Sequence, residues 1–186
     1  MEISEFAARK LARRFETFDF DGDGRIERDD FESSARAVAA EFGCEPDSPA
    51  AQRLLHLSMQ LWGRLASAGD VNIDRSVDLA EYKDAFAEGL LVTEETFEQG
   101  YRPFLSAIMT IADSDGDGKL NVEEHIRWTG ALMHLPAEDA REIHRRLDAD
   151  GDGFINTDDL LQAIHDFYFD EDPDGVGSWL LGKLPD

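Results

Sequence analysis

The feature that most constrains this chain is a twelve-residue pattern that recurs three times. Residues 19–30, 113–124 and 148–159 each begin Asp-x-Asp-Gly-Asp-Gly, and each closes on a carboxylate: Asp30, Glu124 or Asp159. Both sides of every copy carry apolar residues at helical spacing. Leu11, Phe15 and Phe18 precede the first copy; Leu105, Ile108, Met109 and Ala112 precede the second; Ile143 and Leu147 precede the third. Phe31, Ala35 and Val38 follow the first, and Leu160, Ala163, Ile164 and Phe167 follow the last. Such spacing puts one apolar stripe on each flanking helix. The repeating unit is therefore helix–loop–helix.

The two later copies lie one unit apart, which suits adjacent units packed as a pair. The first copy needs a partner, and residues 70–81 supply its outline with Asp70, Asn72, Asp74 and Glu81. Trp62, Leu65 and Ala66 precede this segment; Tyr82, Ala85 and Phe86 follow it. It carries Arg75 where the other loops carry glycine. The predicted fold is all-α: four helix–loop–helix units paired into one compact domain, with short β bridges between paired loops. The first pair is expected over residues 1–100 and the second, with a tail, over 101–186. Joints are expected at residues 44–49, where Ser48 and Pro49 make a helix start, at 100–103 and at 135–138. The tail ends on Trp179, Leu180 and Leu181, which read as a segment packing back on the domain, with a partner-binding segment as the alternative.

Carboxylates at alternate positions of a tight loop repel one another unless a cation lies among them. Calcium takes roughly six to eight oxygen ligands at about 2.3–2.6 Å, and a twelve-residue loop presents them from positions 1, 3, 5, 7, 9 and 12. Position 7 gives its backbone carbonyl. Position 6 turns with positive φ, which glycine adopts without steric cost. Position 8, here Ile26, Leu120 or Ile155, is apolar because it joins the partner loop in the bridge.

The expected ligands of the first loop are Asp19, Asp21, Asp23, the carbonyl of Arg25, and Asp30, with Glu27 binding directly or through water. Those of the third are Asp113, Asp115, Asp117, the carbonyl of Lys119, and Glu124. Those of the fourth are Asp148, Asp150, Asp152, the carbonyl of Phe154, and Asp159. Three calcium ions are expected. Glu124 is long enough to chelate through both oxygens, so the third loop is expected to be the most calcium-selective. Asp30 and Asp159 are one methylene shorter. Either they bind through one oxygen, which opens the first and fourth loops to magnesium, or the outgoing helix moves inward and restores two. In the second loop, Arg75 opposes tight binding through a left-handed backbone penalty of about 1–2 kcal/mol and through its charge. A weak site there stays open, and the structural role of pairing with the first loop does not depend on metal.

Among EF-hand proteins, the chain resembles the calerythrin and sarcoplasmic calcium-binding protein family over nearly its whole length. The resemblance rests on Arg14 and Phe15 followed by the first loop, on the run from Glu27 to Glu32, on the altered second loop, and on Asp166, Phe167, Tyr168 and Phe169 near the end. It implies binding at the first, third and fourth loops and a role as a cytosolic calcium buffer or signal modulator. Asp159 departs from the glutamate that the family pattern expects.

The net charge of −23, from 41 acidic and 18 basic residues, makes nucleic acid a poor partner, since a phosphate-binding surface needs a basic stripe, and anionic membrane a poor one for the same reason. One cysteine, Cys44, excludes an internal disulfide and reads as a half-buried apolar residue. The opening Met1-Glu2-Ile3 lacks the basic start of a secretory signal, and a cytoplasmic location is the default expectation. Two other functions compete with buffering. A sensor that opens toward a target protein displays a Met-rich groove, whereas Met59, Met109 and Met133 here sit in helical segments that read as core. A small apolar ligand carrier would line a cavity with aromatic and imidazole rings, for which Trp62, Trp128, Trp179, Tyr82, Tyr101 and His134 are available. An enzyme is not expected. None of His56, His125, His134, His144 and His165 is spaced with Ser or Cys as a nucleophile pair, and His144, on the helix entering the fourth loop, reads as a surface or boundary residue.

Overall fold

The computed structural model describes residues 3–70 and 72–184, without the side chains of Glu94 and Glu95. Met1, Glu2 and Val71, on which parts of the reading above fall, lie outside the described residues. Eight helices follow in order among the described residues: α1 (Glu5–Phe18), α2 (Arg28–Glu41), α3 (Pro49–Gly69), α4 (Leu79–Ala87), α5 (Glu94–Ala112), α6 (Val122–Met133), α7 (Ala137–Leu147) and α8 (Thr157–Phe169), then a 3-10 turn at Val176–Trp179. The helix starts have local causes. Ser48 accepts a hydrogen bond from the amide of Ala51 ahead of Pro49. Asn121 and Asn156 accept from the first-turn amides of α6 and α8.

Two antiparallel bridges hold the loops in pairs, Ile26 with Val77 and Leu120 with Ile155. All four residues are fully buried. Each bridge exchanges both backbone hydrogen bonds, at 2.9 Å in the first and at 2.8 and 3.0 Å in the second. The apolar stripes expected from spacing are the core: Leu11, Phe15, Phe31, Val38, Ile108, Ile143, Leu160 and Phe167 are all buried.

The two halves share that core. One cluster joins Ala35, Val38 and Leu54 from the first half to Ile108, Leu120, Ile143 and Leu160 from the second. Polar contacts cross the same boundary. Arg127 reaches both the carboxylate and the carbonyl of Glu41, at 2.8 and 2.6 Å, and the ring of His134 lies 4.3 Å from that of Phe20, in the first loop.

Residues 100–103, read from sequence as a joint, lie inside α5. Pro103 removes one amide donor from that helix. The helix continues because Phe97, Tyr101, Phe104 and Leu105 are buried on both sides of the proline, and packing outweighs one lost hydrogen bond. The turn between the halves falls earlier, at residues 88–93, before the Thr93 cap. The tail docks as expected. Leu181 is 1% exposed, its carbonyl accepts from Arg13 at 2.8 Å, and the Arg146 guanidinium lies over Trp179. Gly177 makes the fit possible, since a Cβ there would meet the backbone of Phe167 at 2.4 Å. No helix is long and apolar enough to cross a membrane among the described residues.

Candidate metal centres

Each loop begins where its incoming helix ends, with Asp19, Asp70, Asp113 or Asp148 as the C-cap. The first aspartate then organises the turn. Asp19 accepts from the amides of Asp23 and Gly24, at 3.0 and 2.8 Å, and Asp113 accepts likewise from Asp117 and Gly118, at 3.1 and 2.8 Å. Positions 4 and 6 take positive φ throughout. Glycine fills both in the first, third and fourth loops, for example Gly22 at 74° and Gly24 at 88°.

Three groups of carboxylates converge among the described residues: Asp19, Asp21 and Asp30; Asp113, Asp115 and Glu124; Asp148, Asp150 and Asp152. Within each group one oxygen per residue lies within 4.8 Å of the others. Two oxygens on opposite sides of a calcium ion stand up to about 5 Å apart, so each group fits such an ion. A second observation points the same way. Asp148 Oδ1 is buried with no hydrogen-bond partner, and a buried carboxylate oxygen is costly unless a cation satisfies it.

The closing residues differ. Asp30 and Glu124 are each 5% exposed, and backbone amides reach both oxygens of each. Phe20 and Glu27 donate to Asp30, at 3.0 and 2.6 Å; Ser114 and Asn121 donate to Glu124, at 2.7 and 3.0 Å. Burial raises the Asp30 carboxyl, against the opposing pull of those amides. Asp30, despite its shorter side chain, thus takes the place that Glu124 takes in the third loop. Asp159 does not. It accepts from Asn156 at 2.8 Å and stands outside the convergent group, where Asp152 takes part instead. Asp23 and Asp117 also stand outside their groups, each accepting from the amide two residues on. Arg25, Lys119 and Phe154 directly precede the bridge residues.

The second loop keeps the backbone without the convergence, among the described residues. Asp70 accepts from the amides of Asp74 and Arg75, both at 3.0 Å, as its counterparts do. Ile73 (φ 62°) and Arg75 (φ 72°) occupy the two left-handed positions. The reading from sequence identified Arg75 alone. Ile73 was visible too, opposite Gly22, Gly116 and Gly151, and a β-branched residue there is the more strained of the two. Its side chain is 84% exposed.

A feature that spacing did not reveal joins the loops within each pair. Arg25, at position 7 of the first loop, reaches Asp74 of the second at 3.0 Å and Ser76 at 2.6 Å. Lys119, at position 7 of the third, pairs with Asp152 of the fourth. Hydrogen bonds from Ser76, then from Arg25, hold the Asp74 carboxyl below its usual range, and the Lys119 hydrogen bond does so for Asp152. Among the imidazoles, His144 is buried rather than superficial. Its Nε2 lies 3.2 Å from the carbonyl of Leu120, which explains a polar residue on the inner face of α7.

An EF hand family model matches residues 11–33, 106–124 and 145–164. Calerythrin of Saccharopolyspora erythraea is 32% identical over 165 residues, 88% of this chain and 92% of that protein. The sarcoplasmic calcium-binding protein beta chain of Penaeus sp. is 26% identical, over 90% of each chain. The solved structure of a Streptomyces coelicolor calcium-binding protein, described in the context of prokaryotic calcium-mediated regulation, superposes with a TM-score of 0.77 at 32% identity, covering 95% of this chain and 99% of that one.

Proposed function

This chain belongs to the calerythrin and sarcoplasmic calcium-binding protein family of EF-hand proteins, and from that premise we propose that it is a calcium buffer holding three ions. The observation that carries the count is the convergence of carboxylates in the first, third and fourth loops and not, among the described residues, in the second. The ions would be held by Asp19, Asp21, Asp23 and Asp30; by Asp113, Asp115, Asp117 and Glu124; and by Asp148, Asp150, Asp152 and Asp159, with the carbonyls of Arg25, Lys119 and Phe154. A bound calcium ion supplies the positive charge that lets these oxygens approach. The chain's own part is to hold the oxygens ready. The leading aspartates are tied to loop amides, and Asp30 and Glu124 are tied at both oxygens.

The shared core favours a buffer over a sensor. Opening a groove in one half would pull Val38 and Leu54 away from Ile108 and Leu160, and Met109 is buried in that same cluster. The loops also divide by selectivity. The first and third, with their closing carboxylates drawn in, favour calcium, and the fourth, with Asp159 outside the group, admits magnesium.

A neutral solvatochromic dye titrated into the chain tests the choice. No rise in emission is expected when calcium is added to the chelated protein. A several-fold calcium-dependent rise would make the chain a sensor. In calorimetry, millimolar magnesium should weaken calcium binding at one site only; equal weakening at all sites would remove the division by selectivity.

A further inference from the structure

A cleft of about 820 Å³ opens beside the first pair of units, lined by residues of α3 and α5 and by Phe18, Phe31, Tyr82 and Tyr168. Six aromatic rings line it: Phe18, Phe31, Tyr82, Phe97, Tyr101 and Tyr168. Its volume falls in the usual range for a small-molecule site. Among the described residues that line it there is no Asp or Glu, although the chain has 41 of them. The charged residue that does line it is Arg64, which forms no ion pair among the described residues.

A second arginine stands behind the wall. The Arg14 guanidinium lies over the Phe18 ring at 4.2 Å and donates from Nε to the Tyr168 hydroxyl at 3.2 Å. It too has no carboxylate partner among the described residues. Arg64 is exposed, so water answers its charge; Arg14 is half-buried, and the Tyr168 hydroxyl and the Phe18 ring answer its charge. An arginine keeps its charge in every protein environment, and a charge withdrawn from water is costly until an anion or a strong dipole answers it.

The hydroxyls carry that charge to the cleft. Tyr101 and Tyr168 share one hydrogen bond of 2.8 Å, in which either can donate. The Tyr168 oxygen already accepts from Arg14. Two phenols hold two hydrogens, and the bond between them uses one. Whichever way it runs, one phenolic hydrogen is left to donate, and it is polarised through the chain of bonds that starts at Arg14. Burial raises the phenols of Tyr82 and Tyr101, so the hydroxyls stay protonated donors.

We propose that this cleft binds a small aromatic molecule bearing an anionic oxygen, its rings among Phe18, Phe31 and Phe97 and its charge at the Tyr101–Tyr168 pair and Arg64. This would be a second activity, at a site whose Phe18 and Phe31 adjoin Asp19 and Asp30 of the first loop. An aromatic body suits the ring-lined wall, because rings stack or meet edge to face. The anionic oxygen suits the spare phenolic donor and the exposed guanidinium of Arg64.

Two dyes that differ by one group test it on the full-length, calcium-loaded chain at about 0.15 M salt, where long-range repulsion from the acidic surface is screened. One is 8-anilino-1-naphthalenesulfonate; the other is its uncharged counterpart, N-phenyl-1-naphthylamine. The sulfonate should bind saturably at one per chain. Tyr101→Phe, which keeps the ring and removes one hydroxyl, should weaken it about ten-fold, the loss expected for a hydrogen bond to a charged acceptor. Arg64→Gln should weaken it about two- to five-fold, and the uncharged dye should change less than two-fold in either variant. An unchanged calcium stoichiometry shows that each variant is folded. Failure of the sulfonate to saturate at one per chain would overturn the proposal. So would an unchanged sulfonate affinity in Tyr101→Phe, or an equal loss for both dyes, since the cleft would then be an apolar surface without anion recognition.

Discussion

The second and third loops have the same backbone and different endowments. Each starts from an aspartate that caps the incoming helix and accepts two loop amides, and each turns through left-handed residues at positions 4 and 6. Each enters a bridge through a fully buried aliphatic residue, Val77 or Leu120. Yet Asp113, Asp115 and Glu124 converge, and the second loop has no such group among the described residues. The shape of the loop is therefore not made by its metal or by glycine alone. The first aspartate and the bridge impose it strongly enough to hold Ile73 and Arg75 at positive φ. What separates a binding loop from a structural one is where its remaining carboxylates go. In the second loop Asp74 is held by Arg25 and Ser76, whereas Asp152 of the fourth, though paired with Lys119, still meets Asp148 and Asp150.

The largest way to test this contrast is to remove calcium. Each site occupied at a hundredfold excess over its dissociation constant adds about 2.7 kcal/mol. A chain of this length gains about 2–4 °C in Tm per kcal/mol. Chelation should therefore lower Tm by about 20 °C in scanning calorimetry, and an unchanged Tm would mean that the convergent carboxylates bind no ion tightly. Next in size is the pair of closing residues. Glu124→Gln should remove one bound ion, while Glu81→Gln, at the same position of the second loop, should remove none. Loss of an ion in Glu81→Gln would erase the distinction between the two loops.

Smaller effects follow from the strained positions. Replacing Ile73 and Arg75 together by glycine relieves about 1–2 kcal/mol of left-handed strain at each, less about 1 kcal/mol of added chain entropy at each. Tm should rise by about 2–4 °C. The ion count should not change while Arg25 remains on Asp74, and adding Arg25→Met to the pair should admit a further, weak ion. A fourth ion in the double variant alone would show that strain, not Arg25, keeps the loop empty. The smallest expected effect is at Lys119. Its pair with Asp152 is solvent-exposed, and such pairs are worth about 0.2–1 kcal/mol. Lys119→Met should therefore strengthen binding at the fourth loop by about two- to five-fold in a calcium titration.

How much of this was legible in the sequence divides along the same line. The three loops, their flanking stripes and the apolar bridge positions follow from local patterns, because each depends on residues close in sequence. Ser48 with Pro49 marked the start of α3 for the same reason. Where the reading departed from the structure, the cause was long-range. α5 runs through Gly100 and Pro103 because Phe97, Tyr101 and Phe104 are buried against other helices. His144 is buried because a carbonyl of the neighbouring loop, Leu120, meets its ring. The contacts of Arg25 and Lys119 join loops that only the bridges bring together. Asp30 and Asp159 share a residue type but not a position relative to the convergent group. Ile73 is the exception, for aligning the four loops placed it opposite three glycines.

The central claim is that crowded carboxylates in the first, third and fourth loops, and not, among the described residues, in the second, define where cations bind. Isothermal titration of the full chain with calcium, after removal of chelator, tests it most directly. The account predicts three ions per chain. Four would contradict the reading of the second loop, and none would contradict the account as a whole.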